Sequence, residues 1–403
     1  MGTYIDYSYI NARIHGLISK LLSETQFSSF DRTGSITEVL HLLRSGSYKN
    51  LAEIYNKTGD IKMIELELFQ YHRRVFSNLK KHSPELLESV IDAFALKLNF
   101  YTIKNALRLW FDQRIRKRPI SEFIAYIPED ITWNGVSPHQ IINAGTKKEL
   151  EDTVVKAGIK DDIPNFSEEL ETVFRDSSLF YLELAVDKGF YIKLLNKISV
   201  LGSRDHTILF SLIGKEIDVR NITRFLRFPE LFTEIPASWS REKRTAHIEK
   251  IVIPGGSRFS VKDFESAVLK GYSMRPSVGI SSTEKQGNAS NSGSGIISMI
   301  NKSDYIQIDE YTAAASSNKE IKRRNQLKTL LQIEHSLQNH LLKSAKKSKL
   351  EDPFSIGTLA AYLILKEREI TRVRSLINAK YYGLKLMDFE TGQRSEMKEN
   401  KQP

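Results

Sequence analysis

A chain of 403 residues is too long for one ordinary domain and suits two to four units of roughly 100–150 residues each. The absence of cysteine excludes disulfides, thiolate metal sites and a cysteine nucleophile, and fits a reducing compartment. A formal net charge of +10 suits nucleic acid, anionic lipid or an acidic protein partner and does not choose among them.

The opening residues Met1–Asp6 lack a basic stretch followed by an apolar one, so no signal peptide is expected. No run of apolar residues is long enough to span a membrane. Tyr48-Lys49-Asn50-Leu51 leads to Lys57-Thr58-Gly59, the pattern of a short amphipathic helix with a glycine stop. It is echoed from Lys147-Lys148-Glu149-Leu150 to Gly158, and from Val261-Lys262-Asp263-Phe264 to Gly271. Ile103, Ala106, Leu107, Trp110 and Phe111 share one helix face. The basic run Arg114, Arg116, Lys117 and Arg118 follows, ahead of Pro119. It reads as favourable charge at a helix C-terminus with a proline stop, and a phosphate-binding patch is the competing reading.

Leu170, Val173, Phe174, Tyr181, Leu184 and Ala185 keep a helical period through the polar pair Ser177-Ser178. The anchor register returns at Val219, Ile222, Phe225 and Leu226. Gly255-Gly256, after Ile251-Val252-Ile253-Pro254, reads as a turn between units rather than a phosphate loop. Residues 277–317, rich in Ser, Gly and Asn, read as an inserted flexible loop. Leu327, Leu330, Leu331 and Leu337 mark a long helix, with Lys343, Lys346, Lys347 and Lys349 at its solvated end. The register appears a third time at Ile370, Val373, Leu376 and Ile377, and a polar tail follows Phe389.

Three equivalent anchors, Ile103, Val219 and Ile370, imply a threefold internal repeat. The flank of Val219 (Lys215-Glu216-Ile217-Asp218) matches that of Ile370 (Lys366-Glu367-Arg368-Glu369). The first copy keeps only the apolar anchor, after Asn99-Phe100-Tyr101-Thr102. Such a period is far longer than that of helical-hairpin solenoids, so the expected architecture is all-α with three similar domains: 1–120, 121–236 and 237–403. Helix spacing pairs Glu216 with Arg220 and Glu369 with Arg372, each worth about 0.2–0.5 kcal/mol.

No phosphate loop, dinucleotide turn, nucleophile elbow or zinc helix occurs, and the nine histidines are scattered. No residue is therefore assigned to catalysis, a cofactor or a metal.

The segment Leu212-Ile213-Gly214-Lys215-Glu216-Ile217-Asp218-Val219-Arg220-Asn221-Ile222 resembles the second-repeat signature of the C subunit of V-type and A-type rotary ATPases, similar to the eukaryotic d subunit. Ala361-Tyr362-Leu363-Ile364-Leu365-Lys366-Glu367-Arg368-Glu369-Ile370 resembles a later signature of that family, and Tyr9-Ile10-Asn11-Ala12-Arg13-Ile14 its opening. The sequence departs from the pattern at Thr371-Arg372 and Ala379-Lys380. The resemblance implies a funnel of three helical domains around a pseudo-threefold axis. It also implies a non-catalytic central-stalk subunit without cofactor, peripheral on the cytoplasmic face of the membrane. The implied partners are the shaft subunits of the soluble head and the membrane ring of ion-carrying proteolipids, met as a monomer within a hetero-oligomer, with no nucleic acid. Lys215, Glu216, Arg220, Lys366, Glu367 and Arg372, at equivalent points of two repeats, are the candidate shaft or ring interface. A basic helical scaffold binding nucleic acid or another protein complex is the alternative.

Overall fold

The computed structural model of the chain describes residues 4–228, 239–273, 294–303, 305, 319–351 and 355–384. Among them are seventeen α-helices and no strand, the nearest approach being a single bridge between Trp133 and Val136. The chain divides into two compact units, 1–159 with 348–403, and 160–347.

The first unit opens with α1 (Tyr4–Ile18), α2 (Glu24–Asp31), α3 (Ile36–Leu43), α4 (Asn50–Thr58), α5 (Ile61–Lys80) and α6 (Glu85–Arg114). It continues through α7 (Ser121–Ile124), α8 (Pro138–Asn143) and α9 (Lys147–Lys156). The second unit holds α10 (Phe166–Asp176), α11 (Phe180–Ile198), α12 (Ser203–Arg227), α13 (Arg241–Ile251), α14 (Val261–Ser273) and α15 (Ser294–Asn301). It also holds α16 (Lys319–Glu351) as far as Lys347, while α17 (Gly357–Tyr381) belongs to the first unit.

Helix starts follow the local chemistry. Ser23 forms a capping box with Gln26, and the side chains of Ser35, Asp60, Thr146 and Ser240 each accept a first-turn N–H. Two of the three glycine stops are in place: Gly59 closes α4 at φ +63° and Gly158 follows α9 at φ +68°, a conformation that costs glycine no Cβ clash. The third helix runs past Gly271 to Ser273. The helix expected to continue through Ser177-Ser178 breaks there, because Ser177 turns left-handed at φ +49° and separates α10 from α11.

Within the stretch expected to be a loop, residues 294–301 form α15. Its Ile296 and Ile300 are buried one turn apart, an amphipathic spacing hidden inside a polar composition. The rest of that stretch lies outside the described residues, apart from 302, 303 and 305, as does the tail after Phe389.

Each unit has a core that reaches across the sequence. In the first, Phe27, Val39, Leu43, Leu51, Ile64 and Leu68 pack with Ile370, Val373, Leu376 and Ile377 of α17. In the second, Val219, Ile222 and Phe225 of α12 pack with Ile248, Ile251, Phe264, Ile300 and Leu337. The first anchor, Ile103, is buried on α6 with Ala106, Leu107, Trp110 and Phe111. Burying aliphatic and aromatic side chains of this size is worth roughly 1.5–3 kcal/mol each. Residues far apart in sequence are thereby bound into one unit.

Candidate functional site

The two signature helices place an acid immediately before the apolar anchor, Asp218 on α12 and Glu369 on α17. The anchor faces the core, so its neighbour lies at the core's edge. Both acids are buried, at 0 % and 5 % exposure, and each is held by a tyrosine hydroxyl and a backbone N–H from elsewhere in its unit.

Asp218 accepts from Tyr305 Oη at 2.5 Å, from Arg258 N at 2.8 Å and from Phe259 N at 3.3 Å. Burial pushes its carboxyl up to about 6, against the opposing pull of these donors. Three residues on, Asn221 closes a two-way bond to one residue's backbone: Nδ2 donates to Ile253 O and Oδ1 accepts from Ile253 N, both at 2.9 Å. Arg224 Nη1 donates to Ile251 O at 3.2 Å. A single polar stripe of α12 thus pins residues 251–259.

Two glycines permit that contact. A Cβ on Gly214 would lie 2.9 Å from Ser257 N, and one on Gly256 would lie 2.1 Å from Asp218 Oδ1. Gly255-Gly256 is therefore a turn between α13 and α14 that presses on a carboxylate, a position from which a phosphate would be repelled.

Glu369 Oε2 accepts from Leu22 N, and Oε1 accepts from Tyr48 Oη, both at 2.5 Å. The ammonium of Lys366, 3 % exposed, completes the cluster at 2.6 Å from Glu369 Oε1 and lies 4.9 Å from the centroid of the Tyr71 ring. Further along α17, Asn378 donates to Glu65 at 2.9 Å, and Lys380 Nζ donates to Asp31 O and Thr33 O. In the first copy the acid's place is taken by Thr102, which is buried and bonds back to Leu98 O. There Trp110 Nε1 and Arg114 Nε both donate to Ala144 O at 3.0 Å, and Arg114 Nη2 donates to Asn143 O. Arg116 pairs with Asp112. Arg114 and Arg116, part of the basic run after α6, thus have structural partners.

Of the six residues selected from the sequence, Glu216 accepts from Tyr191 and pairs with Arg220 as helix spacing predicts. Lys215 donates to Ser344 Oγ at 3.2 Å. Glu367 pairs with Lys97, and all four are half-buried. The expected Glu369–Arg372 pair is not formed, because Glu369 turns inward. Arg372 instead pairs with Glu24 at 2.6 Å and lies over the Phe27 ring. Lys366, Glu369 and Tyr48 come together, while Lys215, Glu216 and Arg220 belong to the other unit.

Asp218 and Asn221 stood inside the quoted signatures without a role, and Glu369 stood there only as a helix partner of Arg372. The clue to them was their place beside a buried anchor. Among the described residues there is no group of three or more His, Asp or Glu that could hold a metal ion. Nor is any described helix long and apolar enough to cross a membrane.

What remains is a helical protein whose buried polar chemistry is spent on holding its own segments together. The family model described as ATP synthase (C/AC39) subunit matches residues 10–274 and 279–386, and the chain belongs to that family. It is a structural, non-catalytic subunit of a rotary ATPase. The C subunit of the A-type ATP synthase of Methanocaldococcus jannaschii is 21 % identical over 385 residues, covering 94 % of this chain and 84 % of the relative. That of Thermococcus kodakarensis is 22 % identical over 384 residues, covering 94 % and 88 %. That of Haloquadratum walsbyi is 24 % identical over 394 residues, covering 93 % and 94 %.

Proposed function

We propose that the chain is the socket of the central stalk, joining the rotating shaft of the soluble head to the membrane ring of ion-carrying proteolipids. In this reading it is a funnel of three similar domains, 1–120, 121–236 and 237–403, around a pseudo-threefold axis. It is peripheral on the cytoplasmic face of the membrane, a monomer within the hetero-oligomer.

The observation that carries the reading is a repeated hand-over. The anchor helix of the first copy, α6, bonds to the segment at Asn143–Ala144 in the second. That of the second, α12, bonds to residues 251–259 in the third. The anchor helix of the third, α17, bonds back to Leu22, Glu24 and Tyr48 in the first. An anchor helix bonded each time to a segment of another copy suits a part that must resist twisting.

The load is considerable. Moving one charge through 100 mV is worth about 2.3 kcal/mol, and several such steps must reach the head per nucleotide. Close-packed helices of low compressibility can carry it without any reactive group.

Lys215, Glu216, Arg220, Glu367 and Arg372 are the half-exposed members of the candidate contact set, and Lys366 is its buried member. Charged rims of this kind set partner choice and orientation. The test is affinity purification of the full chain from its own membranes. Recovery of shaft and ring subunits supports the socket. Recovery of nucleic acid with neither set of subunits refutes it.

A further inference from the structure

On α17, two residues before the Ile370 anchor, Arg368 is half-buried. Its Nε is shut away from solvent and has no hydrogen-bond partner. Among the described residues it makes no ion pair. One turn on stands a second guanidinium, Arg372, which is engaged with Glu24 at 2.6 Å and lies 3.8 Å from the centroid of the Phe27 ring. Like charges four residues apart on a helix destabilise it. A half-buried cation short of a hydrogen bond is costly as well. Burial first, then Arg372, holds the Arg368 guanidinium below its ordinary proton affinity, and Glu24 opposes them.

The sister helix α12 shows this register covered. At the equivalent position of α12 stands Ile217, fully buried, with its Cδ1 3.6 Å from where a Cβ on Gly255 would lie. There the next copy covers the position with its own loop. On α17 the corresponding residue is a cation with a buried donor left unused.

We propose that Arg368, with Arg372 beside it, receives the carboxylate of an acidic side chain presented by a partner subunit of the rotary complex. The guanidinium's planar fork of donors matches a carboxylate two bonds at a time. The rim selects against a phosphate-rich surface. Glu24, with a side chain 74 % exposed, stands beside the pair, and a bilayer would have to press many phosphates against it. A single carboxylate brings one charge against Glu24 where a bilayer brings many. The inference rests on the socket reading and adds a contact of defined chemistry to it.

The test uses the full-length chain, its Arg368→Gln and Arg368→Lys variants, and the rest of its own complex purified without this subunit. Arg368→Gln is expected to weaken binding at least tenfold at moderate salt and to flatten its salt dependence. Arg368→Lys should retain part of the affinity. Neither variant should lower the thermal midpoint of the isolated chain, since a half-buried cation short of a partner and beside a like charge costs stability there rather than supplying it.

Wild-type affinity in Arg368→Gln overturns the proposal and leaves the socket standing. A lowered midpoint in both variants overturns it in favour of a role in folding. Arg368-dependent binding to phosphatidylglycerol vesicles overturns it in favour of lipid. A wild-type chain that fails to bind the complex removes both readings.

Discussion

Replacing Asn221 by alanine tests whether the signature helix is held by its buried polar stripe. The side chain is fully buried and makes two bonds of 2.9 Å to one residue's backbone, at Ile253 N and Ile253 O. Truncation leaves that N–H and that C=O facing apolar neighbours, among them Ile251, Val252 and Ile222. Each buried polar group left unpaired costs about 1–3 kcal/mol, so the expected loss for the two is about 2–6 kcal/mol. The loss should fall on the second unit alone.

Two measurements read this out. Hydrogen exchange should show deprotection of Ile253, Arg258 and Phe259, whose N–H groups are given to Asn221 and Asp218. Trp110 and Trp133 lie in the first unit and Trp239 in the second, so unfolding of the second unit can be followed from Trp239. A loss below about 0.5 kcal/mol, the range of neutral surface substitutions, together with unchanged exchange at Ile253 would refute the reasoning.

Lys366→Met should cost the first unit about 3–5 kcal/mol in urea unfolding, because Glu369 is left charged and unpaired. Adding Glu369→Gln should return part of that loss. The units should also respond oppositely to acid. Burial lowers His72 to about 4, so the first unit should lose up to about 3 kcal/mol as pH falls from 6.5 through 4, a loss absent from His72→Phe. Asp218 is raised to about 6, so its penalty is absent below pH 3.8 and grows as pH rises to 6. Over that window the second unit should weaken by up to about 3 kcal/mol, and Asp218→Asn should abolish the trend. Arg220→Glu, at a half-exposed ion pair, should move unfolding by no more than about 1 kcal/mol while weakening capture of the shaft subunits in a pull-down.

Helical class and the three anchors were legible because an apolar face declares itself within two turns. Ile103, Ala106 and Leu107 needed no partner to be recognised. Partnership was not legible in the same way. Asp218 is held by Tyr305, and Glu369 by Tyr48 and Leu22, contacts that no local spacing announces. The i, i+4 rule succeeded for Glu216 and Arg220, where helix neighbours meet at a half-exposed face. For Glu369 the spacing named the wrong neighbour: it pairs three residues back with the buried Lys366, beside a tyrosine, rather than three residues on with Arg372. Composition misled in one place, where isoleucines at helical spacing made α15 among serines and glycines.

The signature of the family therefore reads less as a binding surface than as an internal joint. Its strongest chemistry, an acid and an amide at the core's edge, is aimed at backbone groups of the following copy. Backbone bonds of this kind fix a distance without depending on which side chains the next segment carries. That would let sequence drift to about one-fifth identity among relatives while the joints keep their geometry. On the socket reading proposed above, such joints matter most, since slack between copies is motion that never reaches the other end. Softening one hand-over, as Asn221→Ala does, should therefore reduce the coupling of ATP turnover to ion movement in the assembled complex while leaving turnover in the detached head unchanged. Equal coupling would mean that the joints serve folding alone.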